Sequence, residues 1–314
     1  MPDKMRSPET WPESLRIDEL GLLPKYDWAS GLRDTWNPGE ASAYTALTSF
    51  IQNGITCYDE GRDRPDRNCV SLLSPYLHFG ELSPRQVYYG IFNAADRSTQ
   101  HRESANTFVR EIGWREFTHH ILYHFPNTIR EPLRSEFTAF PWRNDPKGLR
   151  TWQQGQTGYP IVDAGMRQLW STGWMHNRVR MITASFLVKD LLVSWEYGAD
   201  WFNDTLVDAD LANNIFNWQW VAGTGADAAP YFRIFNPVTQ GTKFDPNGDY
   251  VRRWVPELRE LPAKYIHAPW DAPADVLEDA GVSLGRTYPR PIIDHSFARN
   301  RALDAFNQTV RRQM

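Results

Sequence analysis

Residues 173–225 read as one long helix, a turn rich in carboxylates, and a second helix crowded with aromatic rings. Asn177, Arg178, Arg180 and Met181 open the first helix, Asp208, Asp210 and Asn214 mark the turn, and Trp218 and Trp220 follow. Polar groups able to hold a heterocycle therefore stand near indoles able to stack on one or to give it an electron. Nowhere in the chain does a stretch of useful length alternate apolar and polar residues with the period of two that a half-buried strand requires. Helical spacing recurs instead. The fold expected is all-α, with long ordered loops.

The chain has 314 residues, 41% of them hydrophobic, enough for a substantial core in one large domain or two lobes. Its net charge of -4 gives no global attraction for nucleic acid, so a polyanion would be held by a local group of arginines. Fourteen tryptophans exceed what packing asks for, because each indole N–H needs a partner. Cys57 and Cys69 suggest reduced thiols in a cytoplasmic protein, with no disulfide framework and no metal site. The polar start, MPDKMRSPETWPES, is no secretory signal. The most apolar run, residues 184–193, is interrupted by Lys189 and Asp190 and is too short to span a bilayer, so no membrane partner is expected. GxGxxG, P-loop, HExxH and GxSxG motifs are absent.

Along the chain, residues 1–37 form an extended segment containing Pro and Trp, and residues 38–314 the helical body. Tyr44, Leu47, Phe50 and Ile51 predict a helix over 38–53. Residues 57–70 carry charges of both signs and no apolar face, the pattern of a solvated loop. Ser-Pro pairs after it mark helix starts, whose N–H groups either bind phosphate or are simply capped. Helices follow over 84–95 and 104–125. In the second, Glu111, Trp114 and Arg115 share one face, as a surface ion pair or as a site. Residues 130–160 and 230–251 read as irregular. Further helices are expected over 161–172 (ended by Gly173), 254–261, 272–280 and 296–312.

SLLSPYLHFGELSPRQ, EIGWREF, GQTGYPIVDAGMRQL, the central stretch and DAAPYFRIFNPVTQGTKFDPNGDYV occur in that order across about residues 40–310. Together they resemble the flavin-binding catalytic region of the photolyase/cryptochrome family, and within it a class I cyclobutane pyrimidine dimer photolyase. The resemblance implies a helical domain holding FAD, reduced in its working state, above a cavity for a flipped dinucleotide lesion. It implies a monomer that repairs UV-damaged DNA, single- or double-stranded, under blue light. The chain starts near where the family's N-terminal antenna domain ends, so no antenna chromophore is expected. The alternatives are a cryptochrome-type photoreceptor, disfavoured by an end at Met314 without a signalling tail, and a six-four photolyase. Six-four enzymes carry histidines where this chain has Asn177 and Met181.

By the same resemblance, Tyr58 and residues 70–74 (Val70, Ser71, Leu72, Leu73, Ser74) cradle the diphosphate. The family usually has Thr-Ser-Arg-Leu-Ser there, so Val70 and Leu72 lack a hydroxyl and a guanidinium, and backbone N–H groups are left to serve. Phe108 occupies a position that is commonly Trp. Glu111, Arg115, Asn177, Arg180, Asp208 and Asp210 match polar residues around the flavin and ribose, and Asn214 the residue facing flavin N5. Glu111, Trp114, Asn177, Arg178, Met181 and Trp220 match the lesion cavity. Arg62, Arg178 and Gln240 match phosphate-contacting positions, to which Arg64 and Arg67 could add. Trp218, Trp195 and Trp142 match a file of tryptophans that carries electrons to the flavin.

Overall fold

Contacts in the computed structural model divide the chain into two units, residues 1–37 and 38–314. Residues 7–22, 24–95, 99–227 and 232–309 are described, with backbone alone at 94, 95, 99 and 100. In the first unit a 3-10 turn (Ile17–Leu20) and α1 (Ser30–Thr35) contain no buried residue. The second unit holds α2 (Glu40–Ser49), α3 (Tyr58–Gly61), α4 (Ser74–His78), α5 (Pro84–Ala95), α6 (Thr99–His124), α7 (Pro146–Gln153) and α8 (Pro160–Thr172). It continues with α9 (Asn177–Ser185), α10 (Trp195–Thr205), α11 (Leu211–Ala222), α12 (Pro237–Phe244), α13 (Asp249–Trp254), α14 (Ala274–Asp279) and α15 (His295–Thr309). No strand occurs among the described residues, only one isolated bridge between Leu284 and Tyr288, and the all-α expectation holds. None of the helices among these residues is long and apolar enough to cross a membrane.

Two apolar clusters frame the space between them. One is built from α2, α5 and the start of α6, with Leu47, Phe50, Tyr58, Leu73, Val87 and Phe108 buried. The larger gathers α8 to α11 and α13 around Trp152, Phe186, Trp195 and Trp218. α6 and α9 both pack on α11, which brings the two clusters together along one seam. α8 shows why the larger cluster is dense. Pro160 opens it at a position that needs no N–H donor, and Gly173 closes it with φ 67°. At Gly165 a Cβ would lie 2.4 Å from Val179 Cγ1, so α9 approaches as closely as a backbone allows. In the first turn of α8, the fully buried Asp163 carboxylate accepts from Thr157 N–H, Thr157 Oγ1, Gly158 N–H and the Tyr288 hydroxyl, fixing the GQTGYP turn that precedes the helix.

Several expectations are corrected. The long helix expected from 173 is broken. α9 passes into a π-helical segment (Phe186–Asp190), Leu192 turns left-handed with φ 54°, and α10 starts afresh. The π-segment buries Lys189, whose Nζ donates to Ala222 O at 2.5 Å. Periodicity alone could not show this, because a one-residue bulge preserves the apolar count. The helix over 38–53 likewise becomes α2 plus a π-helical turn (Phe50–Gly54). Residues 57–70 are not a free solvated loop: Tyr58, Gly61 and Cys69 are buried, and α3 forms there. Cys57 and Cys69, expected as reduced thiols, form a disulfide because the turn of α3 returns the chain to a Cα–Cα separation of 5.6 Å. Residues 130–160 contain α7 and residues 230–251 contain α12 and α13. α7 and α12 are capped by Asp145 and Asn236 ahead of Pro146 and Pro237. Those prolines are helix starts, not breaks. The helix expected over 254–261 is only a 3-10 turn (Pro256–Leu258) following α13. Residues 310–312 of the last expected helix, and 228–231 of the DAAPYFRIF block, lie outside the described residues.

Gly165→Ala should cost about 1–3 kcal/mol, since the added methyl overpacks a buried helix pair. Urea unfolding would read this as a lower midpoint at unchanged slope; an unchanged midpoint would show that the α8–α9 contact yields.

Candidate functional site

Three helices converge on one cavity, each with a stripe at i, i+3, i+4 and i+7. They are Glu111, Trp114, Arg115 and Thr118 on α6; Asn177, Arg180, Met181 and Ala184 on α9; and Asn214, Asn217, Trp218 and Val221 on α11. The cavity measures about 380 Å³ and adjoins a second of about 280 Å³. Arg62, Glu111, Arg115, Asn177, Arg180, Asp208, Asp210 and Asn213 line both. The larger lobe is walled by Trp114, Trp218 and Trp220 with Phe202 and Phe216. The smaller is walled by Tyr58, residues 70–74, Phe108 and Trp174. Leu72 adopts φ 55°, which turns the backbone of that stretch sharply beside the smaller lobe.

Carboxylate–guanidinium pairs form the neck between the lobes. Arg180 Nη2 donates to Asp208 Oδ2 at 2.8 Å and Oδ1 at 3.0 Å, and Arg180 Nε donates to Met175 O at 2.7 Å. Arg115 Nη1 donates to Asp210 Oδ2 at 2.9 Å, while its buried Nε has no partner. Asp210 also caps α11, accepting from Asn213 N–H at 2.9 Å. Burial alone would push the Asp210 carboxyl up, but the Asn213 N–H and the Arg115 charge outweigh it and hold the group below its usual range. Across the neck, Arg62 pairs with Glu111 at 2.7 Å.

α9 begins where it does because His176 Nδ1 accepts from Arg178 N–H at 3.2 Å. Burial pushes that imidazole down to about 4, assisted by the Arg180 and Arg178 charges against the pull of Asp63, so the ring is neutral and its lone pair free to cap. Asn214 is oriented by its own amide hydrogens, given to Ala199 O at 2.9 Å and Asn203 Oδ1 at 2.8 Å. What it can offer a ligand is its carbonyl oxygen. Arg178 is held by Asp63 at 2.8 Å and lies 4.5 Å over the Phe244 ring.

The structure brings nearly all the residues singled out from the sequence to these two lobes. Gln240, on α12, and Arg64, Arg67, Trp142 and Trp195 line neither. Trp195 is buried in the larger core, against which Trp142 packs half-buried. Trp218 meets Trp152 edge-on at 6.1 Å and Phe202 at 5.0 Å. Sequence reasoning missed Thr118, Asn213 and Asn217. Thr118 Oγ1 donates to Asn213 Oδ1 at 3.1 Å, and Asn213 Nδ2 donates to Asp210 Oδ1 at 2.8 Å. Their helical spacing from Glu111, Asp210 and Asn214 was the available signal.

Residues 108–308 match the family described as the FAD binding domain of DNA photolyase. The chain is 54% identical over 308 residues to a deoxyribodipyrimidine photo-lyase of Agrobacterium fabrum, covering 97% of this chain and 64% of that protein. It is 45% identical to cryptochrome-2 of Arabidopsis thaliana, covering 95% of this chain and 50% of that one. The crystal structure of a bacterial class III photolyase from Agrobacterium tumefaciens superimposes with a TM-score of 0.94 at 52% identity, covering 98% of this chain and 64% of that one. The chain thus spans between half and two thirds of the length of these relatives.

His176 makes the fold acid-sensitive. The unfolded imidazole titrates near 6.5, while in the fold it resists protonation down to about 4. Its stabilisation is therefore complete above 6.5 and lost as pH falls toward 4. Between pH 7 and pH 5 this group should remove about 2 kcal/mol. His176→Asn, which keeps a capping side chain, should flatten that difference in paired urea titrations; an undiminished difference would assign the acid sensitivity to other groups.

Proposed function

The chain belongs to the photolyase/cryptochrome family, and from that premise we propose that it binds FAD and uses it to repair cyclobutane pyrimidine dimers in DNA under blue light. The observation that carries this reading is the pairing of an indole-walled lobe with a second lobe across a charged neck. A bent cofactor with a flat ring system at each end and a diphosphate at the bend between them fits that division. Arg115 Nε, buried without a partner, and the ligand-facing carbonyl of Asn214 are a donor and an acceptor awaiting such a group. Arg180, Asp208, Asp210 and Asn214 would hold the ring and ribose, and Tyr58 with the backbone of residues 70–74 the diphosphate. Bound FAD supplies the light-driven one-electron chemistry.

The chain's own groups do the rest. Trp114 and Trp220 offer flat faces on which the lesion's pyrimidines stack, once the dinucleotide has left the duplex as in other base-flipping enzymes, a group in which photolyases are a standard example. Glu111 and Asn177 present hydrogen-bonding groups to the pyrimidine edges. Opening a cyclobutane ring requires an electron delivered and returned but no acid, and Asn177 with Met181 provides none. Trp218 at the cavity, with the buried Trp195 and the half-buried Trp142, supplies oxidisable side chains for replenishing the cofactor. Arg62, Arg178 and Gln240 would meet the DNA backbone. Both arginines are paired with carboxylates, so phosphate would compete with Glu111 and Asp63 for them. Among dimer photolyases, the motifs suggest class I, whereas 52% identity to a class III enzyme favours the latter. A photoreceptor without repair activity is the second reading, and the 45% identity to a cryptochrome is what favours it.

Illumination of the reduced, FAD-loaded protein with a dimer-containing oligonucleotide should restore intact thymines. Dimers that persist under light, with the flavin bound, would favour the photoreceptor. Trp114→Ala should weaken dimer binding by about 1–3 kcal/mol, roughly 5- to 150-fold, with flavin retained. Unaltered affinity in a gel-shift titration would remove Trp114 from the lesion's contacts.

A further inference from the structure

We propose that Cys57 and Cys69 form a reversible thiol–disulfide site that sets how firmly one wall of the cavity is held. Of the residues they enclose, Tyr58 and Arg62 line the smaller lobe, and Arg62 also lines the larger. Residues 70–74, which line the smaller lobe too, follow Cys69 directly.

Besides the disulfide, polar ties hold this segment to the rest of the fold. Arg62 pairs with Glu111, Asp63 with Arg178, and Asp59 accepts from Thr107 Oγ1 at 2.7 Å. The first two are ion pairs of part-exposed groups, and a polyanion that captured Arg62 or Arg178 would dissolve them. The disulfide, like the Thr107–Asp59 hydrogen bond, is a tie that such a ligand cannot displace. It closes a loop with a sequence separation of 12, which restricts the conformations the segment can reach. The segment also lies flat against the sulfurs: a Cβ on Gly61 would come within 2.5 Å of Cys69 Cβ and Sγ. Breaking the bond therefore frees the turn of α3 and not merely a side chain.

Access is asymmetric, with Cys57 half-buried and Cys69 buried. A dithiol reductant would attack Cys57 Sγ with one thiolate, the Sγ–Sγ bond would break, and Cys69 would leave as a thiolate and take a proton. The reductant's second thiol then displaces Cys57, which is protonated in turn. Two electrons and two protons pass to the protein, and the reductant closes to its own disulfide. The Cys57 thiol has an acceptor ready, with Gly54 O at 3.4 Å.

The test uses the whole chain, loaded with FAD and kept dark, with and without dithiothreitol. Thiol titration should show two free thiols after reduction under native conditions. Trypsin should then cleave after Arg62 or Arg67 about tenfold faster, in line with local opening of the segment. Flavin should be released faster as well, an arm that rests on the cofactor reading above. Reoxidation should restore the slow rates. Cys57→Ser/Cys69→Ser should be cut at the fast rate regardless of reductant; should that variant not fold, the reversible wild-type comparison decides alone. Equal cleavage before and after two thiols appear, or thiols released only in denaturant, would overturn the proposal. Faster cleavage of a protein that never takes up flavin would support the thiol site and defeat the cofactor reading.

Discussion

The Arg180–Asp208 pair is the interaction on which the cavity depends. Asp208 is almost wholly buried and Arg180 only slightly open, so neither charge could sit at the neck alone. The pair joins α9 to the turn before α11, and Arg115–Asp210 joins α6 to the same turn. Three helices that would otherwise close on each other are therefore held apart around cations that face inward. In a helical bundle the usual solution along such a seam is an apolar filling. Here α6, α9 and α11 turn stripes of amides, guanidinium groups and indoles to the seam, while their apolar residues serve the two cores behind it.

Those cores explain why the neck can be polar without collapsing. Phe108 and Ile112 on α6 belong to one cluster, and Val179 and Ile182 on α9 to the other, so each helix is anchored by its far side. α11 is fixed at both ends. Asp210 caps its start, and Lys189, buried in the π-segment, donates to Ala222 O at its end and lies 3.2 Å over the Phe232 ring. Burial pushes that amine's proton affinity well down. Asn214 and Trp218 thus stand on a helix that neither slides nor turns readily, and their positions in the cavity follow from it.

Much of this was legible in the sequence, and the reasons differ by residue. The stripes at 111/114/115/118 and 177/180/181/184 follow directly from helical spacing, and the Asp210–Asn213 cap from the type and offset of its residues. What spacing could not say is whether a polar stripe faces water or a cavity. Glu111 and Arg115 would have looked the same on an exposed helix, and only the packing of α11 opposite decides. The misses have local causes. Pro146 and Pro237 fall in stretches that read as irregular, although each follows a capping Asp or Asn. The π-segment at Phe186–Asp190 and the left-handed Leu192 broke a helix whose pattern ran on unbroken. Cys57 and Cys69 gave no hint of pairing, because their approach depends on the turn of α3.

The carboxylates of residues 59–66 have a sense that composition hid. They dilute the charge of Arg62 and Arg64. In the structure Asp63 instead holds Arg178 and Asp66 holds Arg64, while Arg62 is held by Glu111 from α6. Unpaired, these long side chains would sample many rotamers and lose that freedom on meeting a ligand. Paired, they are already ordered, and a phosphate that displaces a carboxylate exchanges one anion for another. Such an exchange gives up affinity for anions in general, since any ligand must outcompete the internal partner. It keeps the gain for ligands that present several phosphates at the right spacing. A surface so arranged discriminates by geometry more than by charge, which accords with a chain whose net charge is negative.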